Sequence, residues 1–320
     1  MSLPRESIFC ACAPGLEPIL AAELAGLGLG ARAVAGGATA EGEDAAALAC
    51  LAARTADAVL LRLWEGPAAD LPAGKRAARG AAGAVELQVR THEGAHATIS
   101  VDAAGAPLFR RGWRARVGAA PLRETIAAAM LRAGGWDGER PFLDPMCGSG
   151  TLAIEAALAA GRRAPGLGRR FAFEDLPGHD ARRTARLRAH LAAQARPIRA
   201  PLHASDRNAG ALRLAQKNAA AAGVEDAIRF SREDAARVVP PPGPGLCAVN
   251  PPWGVRLDEA AREAWTALGL LLGKLGGWDA IVLGPDRGYE RLLPRAAAST
   301  LALRAGGVAC RLLRFERLPG

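Results

Sequence analysis

Lysine is almost missing from this 320-residue chain. Only Lys75, Lys217 and Lys274 occur, so nearly all of its 41 basic residues are arginine. Aromatics make up 4% of the residues, with Tyr289 the single tyrosine. No apolar run reaches the length of a membrane-spanning helix, and no charged-then-apolar leader stands at the N-terminus. The expectation is a cytoplasmic protein with no membrane partner. The six cysteines (Cys10, Cys12, Cys50, Cys147, Cys247, Cys310) contain no Cys-x-x-Cys pair, and the five histidines form no cluster beside them. That spacing excludes the usual zinc signatures and argues against a disulfide framework, so free, buried thiols and no metal are expected.

Half of the residues are hydrophobic and 23% are charged, the balance of a globular protein long enough for two domains. The net charge of +9 and the pI near 10.0 suit a polyanionic partner. The same arginine, alanine and glycine excess also arises from a GC-rich gene, so charge alone assigns no nucleic acid.

Residues 8–65 read as strand, helix, strand, helix, strand, a small α+β unit of ferredoxin-like type. Leu16, Ile19, Leu20 and Leu24 give the first helix its spacing. Residues 66–84, dense in Gly and Pro, read as a linker. A hairpin of 85–89 with 97–101 follows, and then Phe109-Arg110-Arg111-Gly112-Trp113-Arg114, basic with interleaved aromatics. From residue 119 helices and strands alternate, which predicts a doubly wound parallel sheet with strands at 142–143, 201–204, 228–231, 246–249 and 280–283. A final hairpin pairs 301–304 with 308–315. The domains expected are 1–65, a short 66–118 segment, and 119–320.

Two motifs in the last domain carry chemistry. Asp144-Pro145-Met146-Cys147-Gly148-Ser149-Gly150-Thr151 leaves a strand and opens a helix. Gly148 and Gly150 let backbone approach a ligand and turn tightly. The spacing is not Gly-x-Gly-x-x-Gly, and Asp144 suits a cationic ligand better than a pyrophosphate. The reading is a pocket for S-adenosylmethionine. Asp206 and Asp234 close the next two strands, where acids would accept from ribose hydroxyls and an adenine amine; the bland alternative for each is a helix cap.

The second motif is Asn250-Pro251-Pro252-Trp253-Gly254, after an apolar strand. In a sheet of methyltransferase order the first and fourth strands are neighbours, which sets Asn250 beside the Asp144 turn. The Asn250 carboxamide oxygen and the Pro251 carbonyl can accept the hydrogens of a conjugated amine, and Trp253 can stack on its ring. Cys147 has no histidine in its sequence context and reads as a packing residue. The segment 162–199 carries ten arginines against three acids, for which phosphate contact is the functional reading and a solvated helix the bland one.

These residues resemble the bacterial large-subunit rRNA guanine-N2 methyltransferases that carry a THUMP RNA-binding domain. The resemblance rests on Phe9-Cys10-Ala11-Cys12-Ala13-Pro14-Gly15-Leu16-Glu17, Leu108 through Arg114, Ala120-Pro121-Leu122-Arg123-Glu124, residues 142–157, Pro165-Gly166-Leu167, residues 250–257 and Cys310-Arg311-Leu312-Leu313-Arg314-Phe315. It implies a class I S-adenosylmethionine methyltransferase domain, Rossmann-like, preceded by the ferredoxin-like domain and a reduced THUMP-like hairpin. It also implies that Pro121 to Glu124 flank the methionine end of the cofactor. The stretch between Trp64 and Val85 is shorter than that family's helices need, and Trp253 stands where Tyr or Phe is commoner.

The expected cofactor set is Pro121, Glu124, Asp144, Met146, Gly148, Ser149, Gly150, Thr151, Asp206, Arg207, Asp234, Ala235 and Asn250, and the catalytic set Asn250, Pro251, Pro252 and Trp253. The resemblance implies an RNA partner, 23S rRNA first and tRNA as the alternative; a non-catalytic assembly factor on the same fold is the other class.

Overall fold

A computed structural model describes residues 6–83, 85–92, 95–114, 122–252, 259–285 and 288–318. Its first elements are β1 (Glu6–Ala11), α1 (Glu17–Gly26), β2 (Gly30–Val34), β3 (Gly37–Gly42), α2 (Ala45–Ala52), β4 (Ala58–Pro67), α3 (Leu71–Ala82), β5 (Leu87–His92) and β6 (His96–Asp102). There follow α4 (Glu124–Ala133), β7 (Phe142–Asp144), α5 (Thr151–Ala160), α6 (Ala181–Ala193), β8 (Leu202–Ser205), α7 (Ala209–Ala221) and β9 (Ile228–Ser231). The last are β10 (Leu246–Val249), α8 (Glu259–Leu272), β11 (Asp279–Pro285), β12 (Ser299–Ala305) and β13 (Val308–Phe315). The chain divides into two compact units, 1–110 with 164–194, and 111–163 with 195–320.

In the first unit one six-stranded sheet runs β2-β3-β1-β4-β6-β5. Its strands alternate: Ile8 and Cys10 are fully buried while Phe9 between them is not, and the buried side packs under α1, α2 and α3. The expected hairpin is therefore part of the same sheet as the ferredoxin-like strands, through the β4–β6 pairing.

The linker reading of 66–84 is corrected by α3. Pro72 lies in its first turn, where no intrahelical N–H is lost. A Cβ on Gly74 would come within 2.5 Å of the Trp64 ring, so this glycine marks close helix–sheet packing rather than flexibility. The stretch is long enough for a helix because small residues let α3 lie flat on β4.

Residues 164–194, expected within the catalytic domain, group with the first unit. Most of the ten arginines of 162–199 have protein partners. Arg169 donates to the Ala106 and Pro107 carbonyls at 3.1 and 3.2 Å. Arg188 donates to the Leu167 and Arg169 carbonyls and the Glu174 carboxylate at 2.7–2.9 Å. Both guanidinium groups face the buried Phe171 ring. Arg183 pairs with Asp44 and Glu43, Arg170 with Asp175, Arg196 with Glu139, and Arg163 donates to Gly223 O. Six of the ten are thus anchors, and the phosphate reading is left with the exposed Arg162, Arg182, Arg186 and Arg199.

The second unit holds a seven-stranded sheet, β12-β13-β11-β10-β7-β8-β9. Strands β11, β10, β7, β8 and β9 are parallel neighbours and β13 returns antiparallel to β11. This is the class I methyltransferase order, and all five predicted parallel strands are present. Central strands β7 and β10 are wholly buried, as apolar runs without alternation require. Because β10 pairs directly with β7, the turns after them open side by side at the carboxyl edge, where the strand order reverses.

Candidate active site

The turn after β7 is built by hydrogen bonds from its neighbours. Cys147 N donates to Ser205 O at 2.9 Å and Gly148 N to Asp206 Oδ2 at 2.9 Å, which ties the turn to the end of β8. Asn218 on α7, fully buried, donates to Ser149 O at 2.9 Å. Gly148 and Gly150 have φ of +52° and +85°, values that a side chain resists. A Cβ on Gly150 would meet that of Ala215 at 3.0 Å, whereas one on Gly148 would meet nothing, because that side faces open space.

Asp206 is not a helix cap. Its second oxygen accepts from Asn208 N at 2.8 Å, and Asn208 itself caps α7 through Gly210 N and Ala211 N. Asp234 does cap, accepting from Ala236 N at 3.0 Å at the head of a short 3-10 turn. A carboxylate has room for more than one partner, so this bond leaves its ligand role open.

After β10, Pro252 O accepts from Trp265 Nε1 at 3.2 Å. Trp265 is fully buried and stacks on Tyr289 with centroids 5.0 Å apart, so the proline loop is pinned to the core. Trp253 and Pro121 lie outside the described residues.

A cleft of about 750 Å³ gathers these strand ends. That is within the range of small-molecule sites. Of the expected residues, Met146, Gly148, Asp206, Arg207, Asp234, Ala235, Asn250, Pro251 and Pro252 line it. Asp144, Glu124, Ser149, Gly150 and Thr151 do not; they shape the wall from behind. Leu122 and Arg123, inside the 121–124 stretch expected beside the cofactor, line the cleft as well. Sequence reasoning missed Ile126 on α4, Ala264 and Ala267 on α8, and Ala305, Gly306 and Val308 at the last hairpin. The Gly306-Gly307 pair was a turn signal, but nothing in it told which way the turn faces.

Arg114 was read as part of a basic aromatic stretch. Its guanidinium instead donates to Glu124 Oε1 at 2.9 Å, Leu122 O at 3.0 Å, Thr151 Oγ1 at 3.0 Å and Ser149 Oγ at 3.4 Å. One side chain thereby fastens the wall at 122–124 to the turn after β7. Arg111 is likewise buried and pairs with Glu155 of α5 at 3.4 Å. Glu124, only 3% exposed, has its carboxylate on Arg114, so the structure gives it a supporting place rather than a wall position.

The model of the RMKL-like methyltransferase domain matches residues 111–287. This chain belongs to the RMKL-like methyltransferase family. The model of the RlmL ferredoxin-like domain also matches, over residues 7–60. The large-subunit ribosomal RNA methyltransferase K/L of Vibrio campbellii is 38% identical over 236 residues, 71% of this chain and 33% of that protein. The chain therefore spans about a third of the length of such curated relatives. Among solved structures, SMU.472 in complex with SAH is 24% identical with a TM-score of 0.87, covering 98% of this chain and 99% of its own. A Listeria monocytogenes protein named as a predicted N6-adenine-specific DNA methylase is 26% identical with a TM-score of 0.86, covering 98% and 96%.

In this RMKL-like domain Asp144 lies beneath the turn, 1% exposed, accepting from Met146 N at 3.3 Å. Burial pushes its pKa well above the ordinary carboxylate value, and the nearby Asp206 adds to the shift. The same burial, with both acids beside it, pushes the Cys147 thiol up, which keeps it protonated and agrees with a packing role. A carboxyl raised on folding stabilises fully below its unfolded pKa of about 3.9, and that contribution fades as pH rises toward the folded value. Asp144→Asn keeps an acceptor for Met146 N and removes the charge. The ligand-free variant is expected to melt higher than wild type near neutrality, with a flatter stability profile as pH rises from about 4 toward neutrality. Parallel melting curves across that range would show that Asp144 is ionised in the folded protein.

Proposed function

We propose that this chain is an S-adenosylmethionine-dependent RNA methyltransferase that methylates the exocyclic N2 amine of a guanine, in 23S rRNA. The observation that carries the reading is the juxtaposition, in one cleft, of Gly148, Asp206 and Asp234 with Asn250-Pro251-Pro252. The donor set fits the cofactor: two acids at adjacent strand ends for ribose hydroxyls and an adenine amine, and a Cβ-free backbone at Gly148 for close approach. The cofactor, when bound, supplies an electrophilic methyl group on sulfur. The protein's task is to make a conjugated amine nucleophilic. Asn250 Oδ1 and the Pro251 carbonyl accept its two hydrogens, draw the nitrogen toward a pyramidal shape and aim its lone pair. That methyl would pass to the amine nitrogen with its C–S bond electrons left on sulfur, and the amine would shed one proton to water. Positioning carries most of the acceleration. The guanine must be unpaired or flipped to reach the cleft.

Support for RNA comes from the ribosomal RNA methyltransferase K/L relatives and the match to the RlmL ferredoxin-like model. The test is incubation with methyl-labelled S-adenosylmethionine and, separately, unmodified 23S rRNA, 16S rRNA and tRNA, followed by nucleoside identification. The expected product is N2-methylguanosine in 23S rRNA. The same nucleoside in tRNA alone would move the substrate class. Labelled N6-methyladenosine would overturn the guanine assignment, and no label in any RNA with cofactor bound would favour the assembly-factor reading.

A further inference from the structure

Among the described residues of the first unit, α1, α2 and α3 pack on one face of the sheet and leave the other to its own side chains. Register places Phe9 opposite Leu60, Arg32 opposite Thr39, Arg62 opposite Ser100 and Arg90 opposite Thr98, all on the side away from buried Ile8, Cys10 and Ile99. Arg90, on the far strand β5, reaches across so that its guanidinium lies over the Phe9 ring, 5.2 Å from the centroid. These long side chains border a cavity of about 370 Å³ floored by Thr98 and Ser100.

Charge in that cavity is one-sided. Arg32, Arg62 and Arg90, with His96, face a single carboxylate, Glu65. Glu65 takes one nitrogen of Arg62 at 2.6 Å, and the buried Arg62 Nε meets no acceptor among the described residues. A buried donor without a partner is costly, and a turn of the Arg62 side chain toward the cavity would let an incoming oxyanion satisfy it. An aromatic plane among guanidinium groups, above a floor of hydroxyls, is the pairing that holds one base and its phosphate in single-stranded nucleic-acid sites.

We infer that this face binds a nucleotide of single-stranded RNA, its phosphate held by Arg32, Arg62 and Arg90 and its base against Phe9. The inference rests on the RNA reading above, and it gives the first unit a task apart from the chemistry of the cleft. Sequence alone hid it, because the three arginines lie on three different strands and form no run.

The test compares wild type with an Arg32→Gln/Arg90→Gln double variant. Both side chains are exposed, so the variant is expected to keep its melting temperature and its affinity for S-adenosylmethionine. Binding of a short, unstructured, fluorescein-labelled RNA is followed by anisotropy across a salt series. The variant is expected to bind at least about tenfold more weakly, with a salt slope shallower by roughly 0.7 for each phosphate that is no longer neutralised. Arg32→Lys/Arg90→Lys should restore most of the slope, since the charges return. Wild-type affinity and slope in the glutamine variant would overturn the surface assignment and leave the methyl-transfer reading standing. Should wild type itself show no salt-dependent RNA binding and transfer no methyl to RNA, both would fall together.

Discussion

Asn250→Ala is expected to bind S-adenosylmethionine nearly as wild type does and to lose at least about a hundredfold in methyl transfer. The separation follows from the sheet. The acids expected to hold the cofactor, Asp206 and Asp234, follow β8 and β9, and the backbone around Gly148 is braced by Asp206 and Asn218. None of those bonds runs through Asn250. The clamp instead follows β10, and Trp265 holds its loop by the Pro252 carbonyl. Removing the carboxamide would therefore delete the acceptor proposed for the amine, while the Trp265 bond to Pro252 O stays in place. Calorimetric titration with the cofactor and a single-turnover transfer assay on the same preparation read the two properties apart. Full turnover would sink the clamp. Equal losses in affinity and turnover would place Asn250 chiefly against the cofactor.

What the sequence disclosed and what it hid divide along a physical line. Strands β7 to β11 were legible because buried parallel strands are short apolar runs bounded by turn residues, and candidate ligand contacts were sought in the turns past β8, β9 and β10. Asp206, Asp234 and Asn250 were chosen that way, and all three line one cleft. The helix α3 was not legible, since Gly74 looks like a breaker until the Trp64 ring beneath it is known, and Pro72 until it falls in the first turn. Arginine was the other blind spot. A run of like charge reads as a surface, yet Arg169 and Arg188 satisfy carbonyls around Phe171, and Arg111 is buried against Glu155. Arginine's five donors make it a structural tie wherever carbonyls converge, and sequence spacing does not report where that happens.

Arg114 tests that second point most severely. Its replacement by alanine strands Glu124, which is 3% exposed, and releases Leu122 O and the hydroxyls of Ser149 and Thr151 at once. Breaking a buried ion pair from one side costs about 3–5 kcal/mol. Arg114→Ala is therefore expected to unfold at markedly lower denaturant and to bind S-adenosylmethionine more weakly, because the wall at Leu122 and Arg123 is no longer fastened to the cofactor turn. Adding Glu124→Gln removes the stranded charge, so the double variant should be more stable than Arg114→Ala alone while its cofactor affinity stays low. The pH dependence has a definite sign. Burial already raises the Glu124 pKa and Arg114 opposes the rise. Without the arginine the folded state holds its proton to higher pH, so the stability deficit should be small near the unfolded glutamate value of about 4.3 and widen toward neutrality. A deficit independent of pH, or a double variant no better than the single, would mean that Arg114 acts through packing rather than as the counter-charge that sets this wall.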